Sequence, residues 1–226
     1  IQPDCYHSVA SGTYSVFLNQ NTGFNPAYPV YSLKAPHYAA ATDGIYVFTG
    51  WTASPSDSAS FESASSCETA VVFKSAGVTV TANYGTKVSN HANYTATIPS
   101  DDILSIHAGA DIPLASGFKF NVLGKLFVEG TEDNLVTLET SNSNETWKGF
   151  SVELNSSNAN DNKLTLSNCI IKNAANLIDI IGSVNKWASI TINNCLIPQL
   201  YYSNPDVEMW DEDDNGYLIR YFNPMA

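Results

Sequence analysis

The chain has 226 residues, enough to bury a real core in one or two domains. Its 22 acidic residues outnumber 10 basic ones, for a net charge of −12, and Arg220 is the single arginine. That balance speaks against nucleic acid and anionic membrane as partners, because neither phosphate neutralisation nor polybasic adhesion is on offer.

Charged residues make up only 14% of the chain, and Ser, Thr and Asn carry much of its polarity, a composition that suits a secreted β protein. No apolar run approaches the ~20 residues that span a bilayer, so membrane insertion is not expected. Ile1 does not begin a signal peptide, so a processed, exported chain is expected, placed outside the cell or on its surface.

Residues 1–30 carry little local signal. Tyr14-Ser-Val-Phe-Leu18 can form a strand, and Asn21-Thr-Gly-Phe-Asn-Pro26 a turn or coil. Alternation of Tyr14, Val16 and Leu18 would set these side chains on one face of an extended segment. Such a segment is suited to adding a strand to a neighbouring subunit's sheet edge.

Residues 31–98 form the next region, a small β domain. Ile45-Tyr-Val-Phe-Thr-Gly-Trp51, Ala70-Val-Val-Phe-Lys74 and Gly77-Val-Thr-Val-Thr-Ala-Asn-Tyr-Gly85 are rich in the β-branched and aromatic residues that strands favour. A Ser/Ala/Asp-rich loop is expected over 52–67, and a polar join over 85–99. The order of these strands resembles the small β modules, akin to internalin-type B repeats, of bacterial surface proteins. That likeness covers roughly residues 28–85, and the long loop holding Cys67 departs from it.

Residues 99–200 are punctuated differently. Leu104-Ser-Ile106, Phe118-Lys-Phe120-Asn-Val122, Leu126-Phe-Val128, Val136-Thr-Leu138 and Phe150-Ser-Val152 are short strands separated by Gly and by Asn/Ser/Asp clusters. Leu164-Thr-Leu-Ser-Asn-Cys-Ile-Ile171 then recurs as Ile190-Thr-Ile-Asn-Asn-Cys-Leu-Ile197, offset by 26 residues. A repeat of this length carrying a strand per period marks a solenoid, in which each repeat buries its apolar face by stacking on the next. The Asn-Cys pair fits a turn, with Asn accepting the bend and the small Cys pointing inward.

Together with Ser105-Ile-His-Ala-Gly-Ala-Asp-Ile112 and Trp147-Lys-Gly-Phe150, these phrases resemble the right-handed parallel β-helix repeats of bacterial extracellular proteins. The resemblance spans roughly residues 100–198 and implies four to five rungs. It implies a fold more than an activity, since such helices serve as lyases, glycosidases, adhesins and inert stalks. The expected class is all-β: a short right-handed parallel β-helix with a small N-terminal β domain.

Four cysteines are present. Cys169 and Cys195 fall at equivalent places in neighbouring rungs, about 4.8 Å apart at Cα. In-register side chains point the same way, which favours an unbridged inward stack, though a bridge is within reach. Cys5 and Cys67 would pair if the protein is secreted, pinning the first residues to the folded body.

The region 201–226 is an acidic tail. Asp211, Asp213 and Asn215, followed by Gly216, match the opening of a calcium-binding loop, with the Tyr217 carbonyl as the next ligand. The twelfth position is Phe222 instead of an acid, so the bidentate ligand would have to come from Asp206 or Glu208. A structural Ca²⁺ or a solvated acidic turn both fit. Asn93, Asn144 and Asn155 head glycosylation sequons.

Catalysis is not expected. A polysaccharide lyase or hydrolase on this fold needs clustered carboxylates or a base beside a groove. The acids of the helical half do not recur at the rung period, and His107 is the only histidine there. Trp147, Trp187 and Trp210 could be sugar-stacking platforms or core and cap residues. Three functions remain: a fibre or appendage subunit that self-associates by protein–protein contacts, a monomeric adhesin or carbohydrate-binding module, and a polysaccharide lyase or hydrolase.

Overall fold

The computed structural model describes residues 9–10, 13–17, 30–75, 77–155, 161–182, 188–197 and 217–222. Among these the chain is all-β and divides into two compact units. One takes in the described residues up to Ala39 together with Tyr46–Thr86; the other takes in Ala40–Ile45 and the described residues from Lys87 onward.

The first unit is built from β1 (Val9–Ala10), β2 (Thr13–Phe17), β3 (Val30–Lys34), β4 (Tyr38–Ala41), β5 (Gly44–Ser54), β6 (Ala59–Phe61), β7 (Glu68–Phe73) and β8 (Thr79–Lys87). Two small sheets form, in the orders β1-β2-β8-β5-β4 and β3-β7-β6. The pairings β1–β2, β2–β8, β3–β7 and β6–β7 are antiparallel. Alternation sets Val71 and Phe73 of β7, and Val80, Ala82 and Tyr84 of β8, into one shared core with Leu33, Phe48 and Trp51. Phe48 lies edge-on to Trp51 and Tyr84 at 5.6 and 5.8 Å. The two polar tips are satisfied: the Trp51 indole N–H donates to the Ser66 carbonyl and the Tyr84 hydroxyl to that of Pro36, both at 2.8 Å.

The stretch 52–67 is less of a loop than its composition suggests. β5 continues to Ser54, a single 3-10 turn covers Ser56–Ser58, and β6 pairs with β7. Ala59 is buried and Phe61 packs against the core, and these two apolar positions are enough to draw a Ser-rich segment into a sheet.

The second unit is a parallel β-solenoid of about three turns. The first turn is β9 (Thr95–Ile98), β10 (Ile103–His107) and β11 (Asp111–Leu114). The second is β12 (Lys119–Val122), β13 (Lys125–Glu129) and β14 (Val136–Thr140). The third is β15 (Gly149–Leu154), β16 (Asn162–Ser167) and β17 (Cys169–Ile171). A partial fourth follows, with β18 (Ile178–Gly182), β19 (Ala188–Asn193) and a lone bridge of Ile170 with Leu196. Finally β20 (Tyr217–Phe222) lies parallel to β19.

Register puts like beside like. Leu104, Leu126, Leu164 and Ile190 form one column, and Ile106, Val128, Leu166 and Ile192 the next. Ala96, Phe120, Phe150 and Ile178 form another, in which the Phe120 and Phe150 rings stack at 5.5 Å. Trp147, fully buried, meets Phe150 edge-on at 5.2 Å and donates its indole N–H to the Lys172 carbonyl at 2.8 Å. Each large side chain buried this way contributes ~1.5–3 kcal/mol.

The Asn-Cys turns are as read. Asn168 and Asn194 take φ of 47° and 50°, a left-handed bend that Asn tolerates better than most residues. Their amides form a ladder along the corner: Asn194 Nδ2 donates to Asn168 Oδ1 at 2.5 Å, and Asn168 Nδ2 to the Gly130 carbonyl at 3.2 Å. Gly130 completes this column. A Cβ there would press on the Asn168 carbonyl oxygen, so only Gly lets the backbones come this close.

Candidate functional site

The strands leave their edges at definite places. In the sheet of order β18-β15-β12-β9, neither β18 nor β9 has a further partner among the described residues. At the β9 end the inward side chains Ala96 and Ile98 are fully buried. The turn at residues 42–43 and the turn Val88–Asn90 close over the neighbouring β11: Asp111 N donates to the Thr42 carbonyl, and Ala115 N, just past β11, to that of Ser89, both at 2.7 Å. At the β18 end no such cover stands among the described residues, while in the adjacent sheet β20 continues beyond β19. Ile178 and Ile180 occupy the columns of Phe150 and Val152, which are fully buried, yet both are only half-buried, and Ile181 is 48% exposed. Nothing in composition announces this end; it emerges only when the rungs are counted.

One corner of the stack concentrates charge. Asp161 accepts from Lys163 at 3.0 Å and Lys125 at 3.2 Å. Lys163 is itself buried and also donates to the Leu123 carbonyl at 3.1 Å. Burial pulls the Asp161 carboxyl upward, but the hydrogen bonds and charges of the two lysines outweigh it and hold its pKa below the usual Asp value. The cluster ties the second turn to the third.

The residues singled out from the sequence lie apart. Tyr14 and Val16 fall in β2, which pairs with β8 of the same chain: Tyr14 sits opposite Ala82 and Val16 opposite Val80. Leu18, Cys5, Asp211, Asp213 and Asn215 lie outside the described residues, as do Trp187 and Trp210. Tyr217 opens β20. Cys67 is half-buried against the core of the first unit. Asn93 and Asn144 are exposed, whereas Asn155 is half-buried and its amide donates to the Leu123 carbonyl at 3.0 Å. His107 is exposed on β10, and Trp147 is a core residue instead of a sugar platform. Among the described residues no three His, Cys, Asp or Glu side chains gather as metal ligands, and no helix is long and apolar enough to cross a membrane.

Cys169 and Cys195 do come together. Both are buried, and their sulfurs lie 3.1 Å apart. Cys195 also donates to the Asn193 carbonyl at 3.2 Å. The hydrogen bond to Cys195, followed by burial, pushes the Cys169 thiol above its ordinary pKa and keeps it protonated.

Two features escaped the sequence. The first is the buried Lys163, which composition places on the surface. The second is Ser151, fully buried with a hydroxyl that finds no hydrogen-bond partner among the described residues. No family model, curated protein or solved structure matches the chain.

Proposed function

We propose that the protein is a structural subunit of an extracellular fibre or surface appendage, assembled by contacts between copies that include β-strand addition. The observation that supports this most is the sheet β18-β15-β12-β9, open at both edges among the described residues, with Ile178 and Ile180 half-exposed at its last strand. An open parallel edge templates another strand, and uncovered apolar residues at a stack end favour a partner that continues the columns. A second copy offers a β9 edge of the same parallel sense.

The bacterial surface origin suggested by the internalin-like and β-helix phrases belongs to the same reading. So do glycans on the exposed Asn93 and Asn144, and a Ca²⁺ braced by Asp211, Asp213, Asn215 and the Tyr217 carbonyl. A bound Ca²⁺ stabilises the fold it binds, so chelator should lower the melting temperature and added calcium restore it. An unchanged melt in excess chelator, with no metal by elemental analysis, removes the ion from this account.

Assembly is tested by sedimentation and electron microscopy over a concentration series. Particles built of head-to-tail copies are expected, and Ile180→Lys, an inward charge at the open edge, should abolish them while circular dichroism remains that of a β protein. An intact chain that stays monomeric at high concentration overturns the fibre.

A second reading, a monomeric surface adhesin or carbohydrate-binding module, draws on the pairing of β2 with β8 in one chain. Deleting residues 1–25 separates the two. Folded monomers that no longer polymerise support strand donation between copies, whereas loss of stability in the first unit together with glycan binding by an intact monomer supports the adhesin.

A further inference from the structure

In a parallel ladder, residues in register sit about 4.8 Å apart and their side chains run alongside one another. Cys169 and Cys195 stand in such a register, since Leu166 lies opposite Ile192 on one side of them and Ile170 bridges Leu196 on the other. Their sulfurs are nevertheless 3.1 Å apart, so the two side chains turn towards each other across the rungs. That separation is tighter than an ordinary non-bonded contact between sulfurs and only about 1 Å beyond a disulfide bond.

We propose that Cys169 and Cys195 are an oxidisable pair that closes into a disulfide joining the third turn of the solenoid to the partial fourth. The surroundings suit a bond. Val136, in register with Cys169, is fully buried, and Ile171 and Ile197 are buried beside the pair in sequence. The backbone is pinned next to the sulfurs, with Leu196 N donating to the Cys169 carbonyl at 2.8 Å and Ile171 N to that of Leu196 at 2.9 Å. Cys195 itself lies just beyond β19, between its last residue Asn193 and the bridge at Leu196, so only the side-chain torsions need turn to close the remaining gap between the sulfurs. Among the described residues no third His, Cys, Asp or Glu joins the two thiols as a metal ligand.

The oxidant is a small-molecule disulfide such as oxidised glutathione. The thiolate of one cysteine attacks it, its S–S bond breaks, and one glutathione thiolate leaves and takes up a proton. The second cysteine then displaces the other glutathione from the mixed disulfide. Two cysteine thiols lose two hydrogens and two electrons, and one oxidised glutathione becomes two glutathione thiols. Cys169 is 0% and Cys195 4% exposed, so exchange runs during folding or through opening of the last turn. This inference does not depend on the fibre reading.

The test uses the full chain carrying Cys5→Ser and Cys67→Ser, refolded in a glutathione redox buffer, then unfolded and alkylated. The expected product is monomeric, about 2 Da lighter than the dithiothreitol-treated protein, as a two-electron oxidation requires. Neither cysteine takes up label, a digest yields one linked peptide pair containing Cys169 and Cys195, and the oxidised form melts at a higher temperature than the reduced. A folded protein whose two cysteines both label fully, or carry glutathione or intermolecular links, overturns the proposal. Should the doubly substituted chain not fold, the unsubstituted chain is mapped the same way. A Cys169–Cys195 peptide then supports the bond, and full labelling of both residues or pairing of either with Cys5 or Cys67 rejects it.

Discussion

Ser151 stands in β15 with Asn121 and Asp179 as its register neighbours and a hydroxyl that is buried without a partner among the described residues. An unsatisfied buried hydroxyl costs about 1–3 kcal/mol of desolvation, and Ala removes the cost while leaving a void of one atom. Ser151→Ala should therefore leave the urea midpoint unchanged or raise it, and a clear fall would show that the hydroxyl is engaged in solution. Asp161 is expected to behave in the opposite way. Its folded pKa is depressed, so its stabilising contribution is complete above the ordinary carboxylate value of about 3.9 and is lost as pH falls through the lower folded value. Asp161→Asn should weaken the protein at neutral pH and flatten its acid loss, read as thermal midpoints from about pH 6 down to about pH 2.5. Some single residues were legible in advance. Asn168 and Asn194 announce their bends because few side chains tolerate positive φ. Ser151 and Lys163 did not, because alternation marks them as outward-facing and gives no hint of what lies over them.

At the scale of strands, apolar alternation carried most of the information. The phrases around Leu104, Leu126, Leu164 and Ile190 each became a strand, and the phrase repeated at 26 residues became neighbouring rungs with the two cysteines in contact. Ile192, near the end of that stack, tests the columns. Ile192→Ala should cost about 2–5 kcal/mol, measured by denaturant titration, and a loss well below that range would mean the last rungs pack loosely. Several strands were missed, and for some of them one physical reason holds. β9 and β20 lie within polar or acidic stretches, and each is recruited by a partner outside its own stretch: β12 and β19. Local pattern cannot report a partner that only the fold brings near. The count of rungs suffered likewise, with about three full turns in place of four to five, because a bridge as short as Ile170–Leu196 does not complete a turn.

For the molecule as a whole, the all-β class was readable. Residues 40–45 join the unit that otherwise begins at Lys87, and Ile45 N donates to Ser89 Oγ at 3.3 Å. That excursion out of the first strands has no mark in composition. The candidate assembly site was half legible. Open edges follow from any short solenoid, but only the structure shows that residues 42–43 and Val88–Asn90 close over β11 while the β9 edge beside it stays unpaired among the described residues, because that cover comes from segments remote in sequence.

The steps between rungs are uneven: Leu104 to Leu126 is short, Leu126 to Leu164 much longer, and Leu164 to Ile190 between the two. The columns stay aligned because the difference is absorbed at the corners. A stack that tolerates such variation is a natural carrier for foreign sequence. The turn between β13 and β14 exposes Glu132 and Asp133 and is closed beneath by mutual backbone hydrogen bonds of Thr131 and Asn134. A guest peptide grafted between those two acids would burden the scaffold with little beyond its own loop closure, which grows by only about 0.6 kcal/mol for each doubling of length. If copies do stack head to tail, each would display that peptide at the same corner, spaced by one subunit along the fibre.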